Sequence, residues 1–312
     1  MILNTGSRTD IPAYYSSWFY NRIREGYVLV RNPYNPPQVT RYRLSPKVID
    51  ILVFCTKNPQ PMFDNLDMLK PYICLWYVTI TPYGPDIEPD VPPKEAVMES
   101  LKRLSERLGS KRVIWRYDPV VITEKYSVKY HIREFEQMAR SLSGYTGQCV
   151  VSFIDLYEKT KRNFGAAEQV SPRDQRRLVE AFSGAAGENH MEIHLCCEDE
   201  SLVTDHVDAK GCMSKEVLEN AAGYRMTMPN KRYRRRGCSC VLGADIGAYN
   251  TCGHGCLYCY ANYDRKTVVR NMACHDENSP FLIGHGLEGD VIREAKQELW
   301  RDNQISLFYK PV

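Results

Sequence analysis

ICLWYVTIT (residues 73–81), PPKEAVMESLKRLSERLG (92–109) and RVIWRY (112–117) follow one another with only short joins. The first and third are strand-length runs of β-branched and aromatic residues, the pattern of strands covered on both faces. The middle stretch carries Ala96, Val97, Leu101, Leu104 and Leu108 at helical spacing, with Pro92 and Pro93 before it and Gly109 after it. Strand, helix and strand so arranged form a βαβ unit, which makes the two strands parallel.

The alternation extends outward in both directions. Strands are expected at ILNTG (2–6), YVLVR (27–31), IDILVFC (49–55), CVVSFID (149–155) and MEIHLCC (191–197). Helices are expected at 13–26, 61–72, 127–144 and 171–187, with a short one at SKEVLENAAG (214–223). The pattern predicts an α/β fold: a (βα) barrel, partial or circularly permuted and TIM-like, or an open doubly wound sheet. No GxGxxG follows any strand, which weighs against a dinucleotide-binding fold. The expected division is a barrel core at 1–197 and a cysteine-rich segment at 198–275 packed on its mouth. A C-terminal helix, GDVIREAKQELWRDN (289–303), and a tail complete residues 276–312.

Polar residues recur where strands end: Arg8 and Asp10, Lys57 and Asn58, Arg116 and Asp118, then Asp155. Taken singly, each is a charge that begins a loop. In a barrel the C-terminal strand ends converge on one mouth, where active sites are built, so these seven are the candidate catalytic residues.

Hydrophobic residues make up 43% and charged residues 25% of the 312 positions, with a net charge of +3, as in ordinary globular proteins. No apolar window approaches about 18 residues, so no membrane span is expected. The opening MILNTGSRTDIPAYY has neither the basic nor the apolar region of a signal peptide, and a cytoplasmic location is expected. There thiols stay reduced, so the crowding of the 12 cysteines toward the C-terminal third reads as metal ligation. Cys55, Cys74 and Cys149 lie in strand-like runs and read as small buried hydrophobes.

The densest crowding is TCGHGCLYCYAN (251–262), with Cys252, Cys256 and Cys259. Zinc sites usually pair ligands in two separated couples. Three thiolates in one loop suit three corners of a 4Fe–4S cubane and leave one iron open for a small molecule. His254 sits inside the loop. Cys197, Cys212, Cys238 and Cys240 form a second set, suited to an auxiliary 4Fe–4S cluster or a tetrahedral zinc ion. Strand alternation would put Cys196 and Cys197 on opposite faces, so only one is expected to reach that site.

CGHGCLYC matches the CxxxCx(aromatic)C motif of the radical S-adenosylmethionine (SAM) superfamily, with Tyr258 as the aromatic. The resemblance implies that Cys252, Cys256 and Cys259 hold a 4Fe–4S cluster whose open iron chelates SAM. It further implies reductive cleavage of SAM to a 5′-deoxyadenosyl radical that abstracts a substrate hydrogen atom. An electron donor such as flavodoxin or ferredoxin is implied as a partner. Most members carry the motif after their first strand, whereas here it follows nearly all the βα units; a permuted barrel would reconcile the two. The chain also resembles a set of microbial proteins sharing SRTDIPA, FCTKNP, WRYDP and DIGAYNTCGHGCLYCYAN over nearly its whole length. No glycine-glycine-glutamate segment is present, so SAM contacts are not carried over.

A nucleic-acid substrate is suggested by KRYRRRG (231–237), by 21 tyrosines available for stacking, and by the tail. Gln304 to Phe308 (QISLF) resemble the QL(S/D)LF peptide that docks on the bacterial sliding clamp. Spore photoproduct lyase offers the analogy for a repair or modification enzyme. Two other readings stand: a non-SAM iron–sulfur electron-transfer or regulatory protein, and a zinc-bearing nucleic-acid-binding module without catalysis.

Overall fold

A computed structural model describes residues 1–156, 158–165, 167–229, 238–241 and 243–302. Eight strands make one sheet: β1 (Ile2–Asn4), β4 (Ile51–Thr56), β5 (Cys74–Thr79), β6 (Val113–Val120), β7 (Gln148–Phe153), β8 (Glu192–Leu195), β9 (Val207–Asp208) and β10 (Ala244–Asp245). Their order is β10-β1-β4-β5-β6-β7-β8-β9, and each pairing is parallel. A second sheet joins β2 (Tyr27–Asn32), β3 (Asn35–Arg43) and β11 (Val291–Glu294), in the order β11-β3-β2.

Alternation sorts the side chains of the large sheet. Leu3, Leu52, Phe54, Trp76, Val113, Trp115, Cys149, Val151, Ile193 and Leu195 point to one face. There they meet α2 (Ser16–Glu25), α3 (Lys94–Leu108), α4 (Val128–Leu142) and α6 (Pro172–Glu188). Phe135 stacks on Phe182 with ring centroids 4.0 Å apart and on Trp115 at 4.8 Å, joining α4, α6 and β6. The other face presents Ile2, Ile51, Val53, Leu75, Tyr77, Ile114 and Val150. It is covered by α7 (Lys215–Ala222), through Val217, Leu218, Ala221 and Ala222, and by Met213, Cys240, Val241 and Trp300.

The long crossover helices thus lie on one face, and the strands follow one another without a reversal. A doubly wound sheet reverses its order and places helices on both faces. The crossovers from β1 to β8 share their one-sided winding with (βα) barrels, whereas α7, between β9 and β10, lies on the opposite face. Among the described residues, β9 and β10 form the two edges and are not paired with each other, so the sheet is open.

Several expectations are corrected. Tyr27–Asn32 is a strand but pairs antiparallel with β3 in the small sheet; only Pro33 and Tyr34 separate the two, which is hairpin geometry. β3 has no sequence counterpart above, because Pro36 and Pro37 mask its start. The stretch at 61–72 is a 3-10 helix, Gln60–Leu69, rather than an α-helix. The expected last helix is absent: Val291–Glu294 runs parallel to β3 with every residue exposed. The segment 198–275, expected to pack on the barrel mouth, supplies two strands of the large sheet, β9 and β10, each too short for periodicity to reveal.

Candidate metal centres

Cys252 follows β10, which pairs with β1 through Leu3–Ala244 and Asn4–Asp245. In sheet order the strand bearing the cysteine motif therefore comes first and the chain's own first strand second. The motif is late in sequence yet lies at the C-terminal end of the sheet, beside the loop after β1. Ser7 and Arg8 of that loop bind Asp245: Ser7 N–H to Oδ2 at 2.8 Å and Arg8 Nε to Oδ1 at 2.8 Å.

The loop is fastened from below by Asp10. Its carboxylate caps α1 (Ile11–Tyr14) through Ala13 N–H at 3.0 Å and accepts Lys57 N–H at 2.8 Å. It also accepts His254 Nε2–H at 2.8 Å. The other ring nitrogen, Nδ1, lies 3.0 Å from the Tyr14 hydroxyl. Tyr15 donates to the Thr251 carbonyl at 2.6 Å, and Asn262 to that of Cys252 at 2.8 Å. A Cβ on Gly253 would stand 2.8 Å from the Tyr14 ring, and Gly255 has φ +68°, so both glycines are needed where they stand.

On the other side, Lys57 Nζ lies 2.9 Å from Glu88 Oε1 and 3.3 Å from Thr81 Oγ1. The Tyr258 hydroxyl donates to the same Glu88 oxygen. Leu257 N–H bonds to the Ile87 carbonyl at 3.0 Å, tying the motif loop to the loop after β5. Burial pushes the Cys256 thiol up to about 12, with Lys57 opposing. Burial also holds Cys252 well above the usual thiol range, helped by Asp10, Cys259 and Cys256, so the three motif thiols feel one another. Cys252 and Cys256 are thus desolvated thiols of one loop with Cys259 close enough to be felt by both, but the sulfurs of the three are not drawn within 4.8 Å of one another as those of the second cysteine group are.

Arg116 lies on the sheet face of Ile114, near Cys196 and Cys212 of the second cysteine group and near Tyr260, the residue after Cys259. Its guanidinium donates to Cys55 Sγ at 3.9 Å and to Asp118, which also accepts from Ser152; Nε has no hydrogen-bond partner among the described residues. Burial alone would push the guanidinium down. The neighbouring Cys55, Cys212, Cys196 and Tyr260 outweigh it and hold Arg116 above its ordinary value.

The second cysteine group is compact. Sγ of Cys196 lies 3.6 Å from that of Cys212, which lies 3.4 Å from that of Cys240; all three fall within 4.8 Å and could hold a metal ion. Cys197 touches Cys196 and Cys238, and Cys238 touches Cys240. The expectation that Cys196 and Cys197 face apart is corrected. β8 ends at Leu195, and Cys197 has φ +63°, so alternation no longer governs the pair. Cys196 is drawn toward the thiolate by the thiols of Cys197, Cys212 and Cys240, against the effect of burial.

Of the seven strand-end residues, Asp10 and Lys57 adjoin the motif, Arg8 binds the strand before it, and Arg116 and Asp118 pair near the second cysteine group. Asn58 is a local turn former, accepting from Gln60 N–H at 3.2 Å. Asp155 is exposed beyond β7. Cys74 and Cys149 are buried in the core as expected, whereas Cys55 faces Arg116. Residues 231–237 and Gln304 to Phe308 lie outside the described residues. Glu88, Tyr14 and Asp245 escaped sequence reading: Glu88 sits in a loop, Tyr14 ends a four-residue helix and Asp245 a two-residue strand, all too short or irregular for periodicity, and each gains meaning only from partners remote in the chain. No helix among the described residues is long and apolar enough to cross a membrane.

A family profile described as "Domain of unknown function (DUF1848)" matches residues 2–261, from β1 through the motif. No curated protein and no solved structure matches the chain.

Proposed function

The chain belongs to the DUF1848 family, and we propose that it is a radical SAM enzyme using an iron–sulfur cluster held by Cys252, Cys256 and Cys259. The observation that carries this reading is the placement of these thiols after β10, at the C-terminal edge of a one-sided parallel sheet and beside Asp10, Lys57 and Glu88. The donor set fits a cubane with one open iron: three thiols in one loop, a lysine beside Cys256, and glycines where side chains would intrude. Such a cluster, when bound, would supply an iron to chelate SAM and the electron that cleaves it.

The protein's own residues do the rest. Asp10, His254 and Tyr14 fix the motif loop from the first βα turn. Lys57 supplies positive charge beside Cys256 and is itself held by Glu88. Tyr258 ties the loop to Glu88 and packs its ring at 6.1 Å from Tyr83, restricting water on that side. Because desolvation keeps Cys252 and Cys256 protonated, loading a metal group must release their protons, which favours loading at higher pH. Arg8, through Asp245, braces the strand that carries the motif, and Arg116 pairs with Asp118 toward the end of β6. A small reductant protein of the flavodoxin or ferredoxin type would deliver the electron.

The test is direct. The protein is purified anaerobically, reconstituted with iron and sulfide, reduced with dithionite, and given SAM, with 5′-deoxyadenosine as the readout. Formation of that product by the parent chain, and its absence in Cys256→Ser, is expected. A well-formed cluster that yields none would overturn the reading in favour of an electron-transfer or regulatory protein.

A further inference from the structure

Cys196, Cys212 and Cys240 come from three places: the end of β8, the loop before α7, and the approach to β10. Two of their sulfurs lie 3.4 Å and 3.6 Å from the third. A tetrahedral ion with thiolates at about 2.3 Å spaces the sulfurs about 3.8 Å apart, which these values nearly meet. In a cubane each thiolate takes a different iron, and the sulfurs stand further apart than when one ion is shared.

The surroundings are built around this spacing. Gly211 has φ +90°, and a Cβ there would stand 3.0 Å from Cys240 Sγ. Met213 N–H donates to that same sulfur at 3.4 Å, and Val241 N–H bonds to the Met213 carbonyl at 2.8 Å. The buried Tyr77 hydroxyl, from the middle of the sheet, holds the Cys212 carbonyl at 2.6 Å. Arg116 supplies a positive charge next to Cys196 and Cys212. At the rim, Cys197 neighbours Cys196 and Cys238 neighbours Cys240, outside the trio whose sulfurs lie within 4.8 Å of one another, so the fourth thiol has to swing in.

We propose that Cys196, Cys212 and Cys240, with a fourth thiol from the rim pair Cys197 and Cys238, bind one thiophilic divalent ion of the zinc class, and that this ion fastens β10 to the sheet. β10 is two residues long and cannot hold its place by ladder bonds alone. Cys240 anchors the chain four residues before it, and the motif follows it directly. The second centre is therefore a structural staple that sets the position of Cys252, Cys256 and Cys259. Whether those thiols carry a cluster that cleaves SAM does not enter into it.

The test uses the full chain. With Cys252, Cys256 and Cys259 all changed to serine, the protein grown with zinc should retain about one zinc per chain with sulfur-only coordination near about 2.3 Å by X-ray absorption. Cys212→Ser or Cys240→Ser in that background should release it. Iron with metal–metal scattering in the triple variant, or no bound ion, would overturn the single-ion site. For the staple, the chain with an intact motif is stripped of zinc by a chelator and then resupplied with Zn²⁺. Alkylation of the motif thiols and hydrogen exchange across 243–262 should rise by about tenfold or more on stripping and fall back on resupply. Unchanged rates would overturn the staple. Because the metal is removed and restored without mutation, a variant that fails to fold does not decide the outcome.

Discussion

The imidazole Nε2 of His254 lies 2.8 Å from the carboxylate of Asp10, a residue 244 positions earlier in the chain, and both side chains are buried. This contact joins the loop after the first strand to the middle of the cysteine motif. Asp10 also caps α1 and receives Lys57 N–H, so one carboxylate organises three segments. Asp10→Ala should therefore destabilise the fold by about 2–4 kcal/mol, a lost cap plus two buried donors left unmet. Asp10→Asn keeps an oxygen for the cap but turns an amide NH2 toward the Lys57 and His254 donors that share the other carboxylate oxygen, so it should recover only the cap's share, about 1 kcal/mol. Urea unfolding of the three proteins side by side checks this; equal stability of Asp10→Ala and the parent would refute it.

Lys57 and Glu88 make a second buried link, at 2.9 Å, with Tyr258 and Thr81 on the same carboxylate. Removing one member leaves the other charge buried and unpaired, which costs about 3–5 kcal/mol. Lys57→Met and Glu88→Gln should each be strongly destabilised, and the double variant by much less than the sum. A double-mutant cycle in chemical denaturation measures the coupling. Additive effects would mean that the two charges do not support one another.

Much of this architecture was legible because strands covered on both faces are apolar throughout. ICLWYVTIT and RVIWRY are such strands, and Val97, Leu101 and Leu104 of the intervening helix are buried as their spacing predicts. Cys252, Cys256 and Cys259 stand out by their spacing alone, and Asp10 and Lys57, picked out at strand ends, adjoin that loop. What escaped was structure set by remote partners. β9 and β10 have two residues each and are strands only because β8 and β1 lie beside them. VIRE falls inside GDVIREAKQELWRDN, whose later residues favour helix, but it is held as a strand by Gln38 to Arg41. The place of Cys196 in the second centre depends on where β8 stops and on the left-handed backbone at Cys197, and a strict alternation cannot anticipate either.

Phe135 carries the packing between α4, α6 and β6, stacked on Phe182 at 4.0 Å and on Trp115 at 4.8 Å and fully buried. Phe135→Ala should cost about 3–5 kcal/mol through lost burial and the cavity left behind. Phe135→Leu preserves most of the volume and should cost less than half as much. Thermal unfolding followed by circular dichroism would show the order parent, Leu, Ala; a reversal would mean that the site collapses around the smaller residue.

His131 gives the fold a pH dependence whose direction is fixed by its two partners. Its Nε2–H donates to the Val121 carbonyl at 2.9 Å and its Nδ1 lies 2.8 Å from the Tyr117 hydroxyl, which satisfies a neutral ring. Burial lowers it to about 4, against the opposing hydrogen bond to Val121 and the charge of Glu134. An unfolded histidine titrates near about 6.5, so between about 6.5 and 4 the unfolded chain binds a proton that the folded chain refuses. Above that window both states are neutral and His131 adds no slope. As pH falls through it, the fold should lose roughly 3 kcal/mol from this residue, with the loss complete below the folded value. His131→Gln cannot titrate, so although less stable at pH 7 it should lose correspondingly less on acidification. Urea midpoints at pH 7 and near the lower end of the window compare the two; parallel losses would assign the acid sensitivity to other groups.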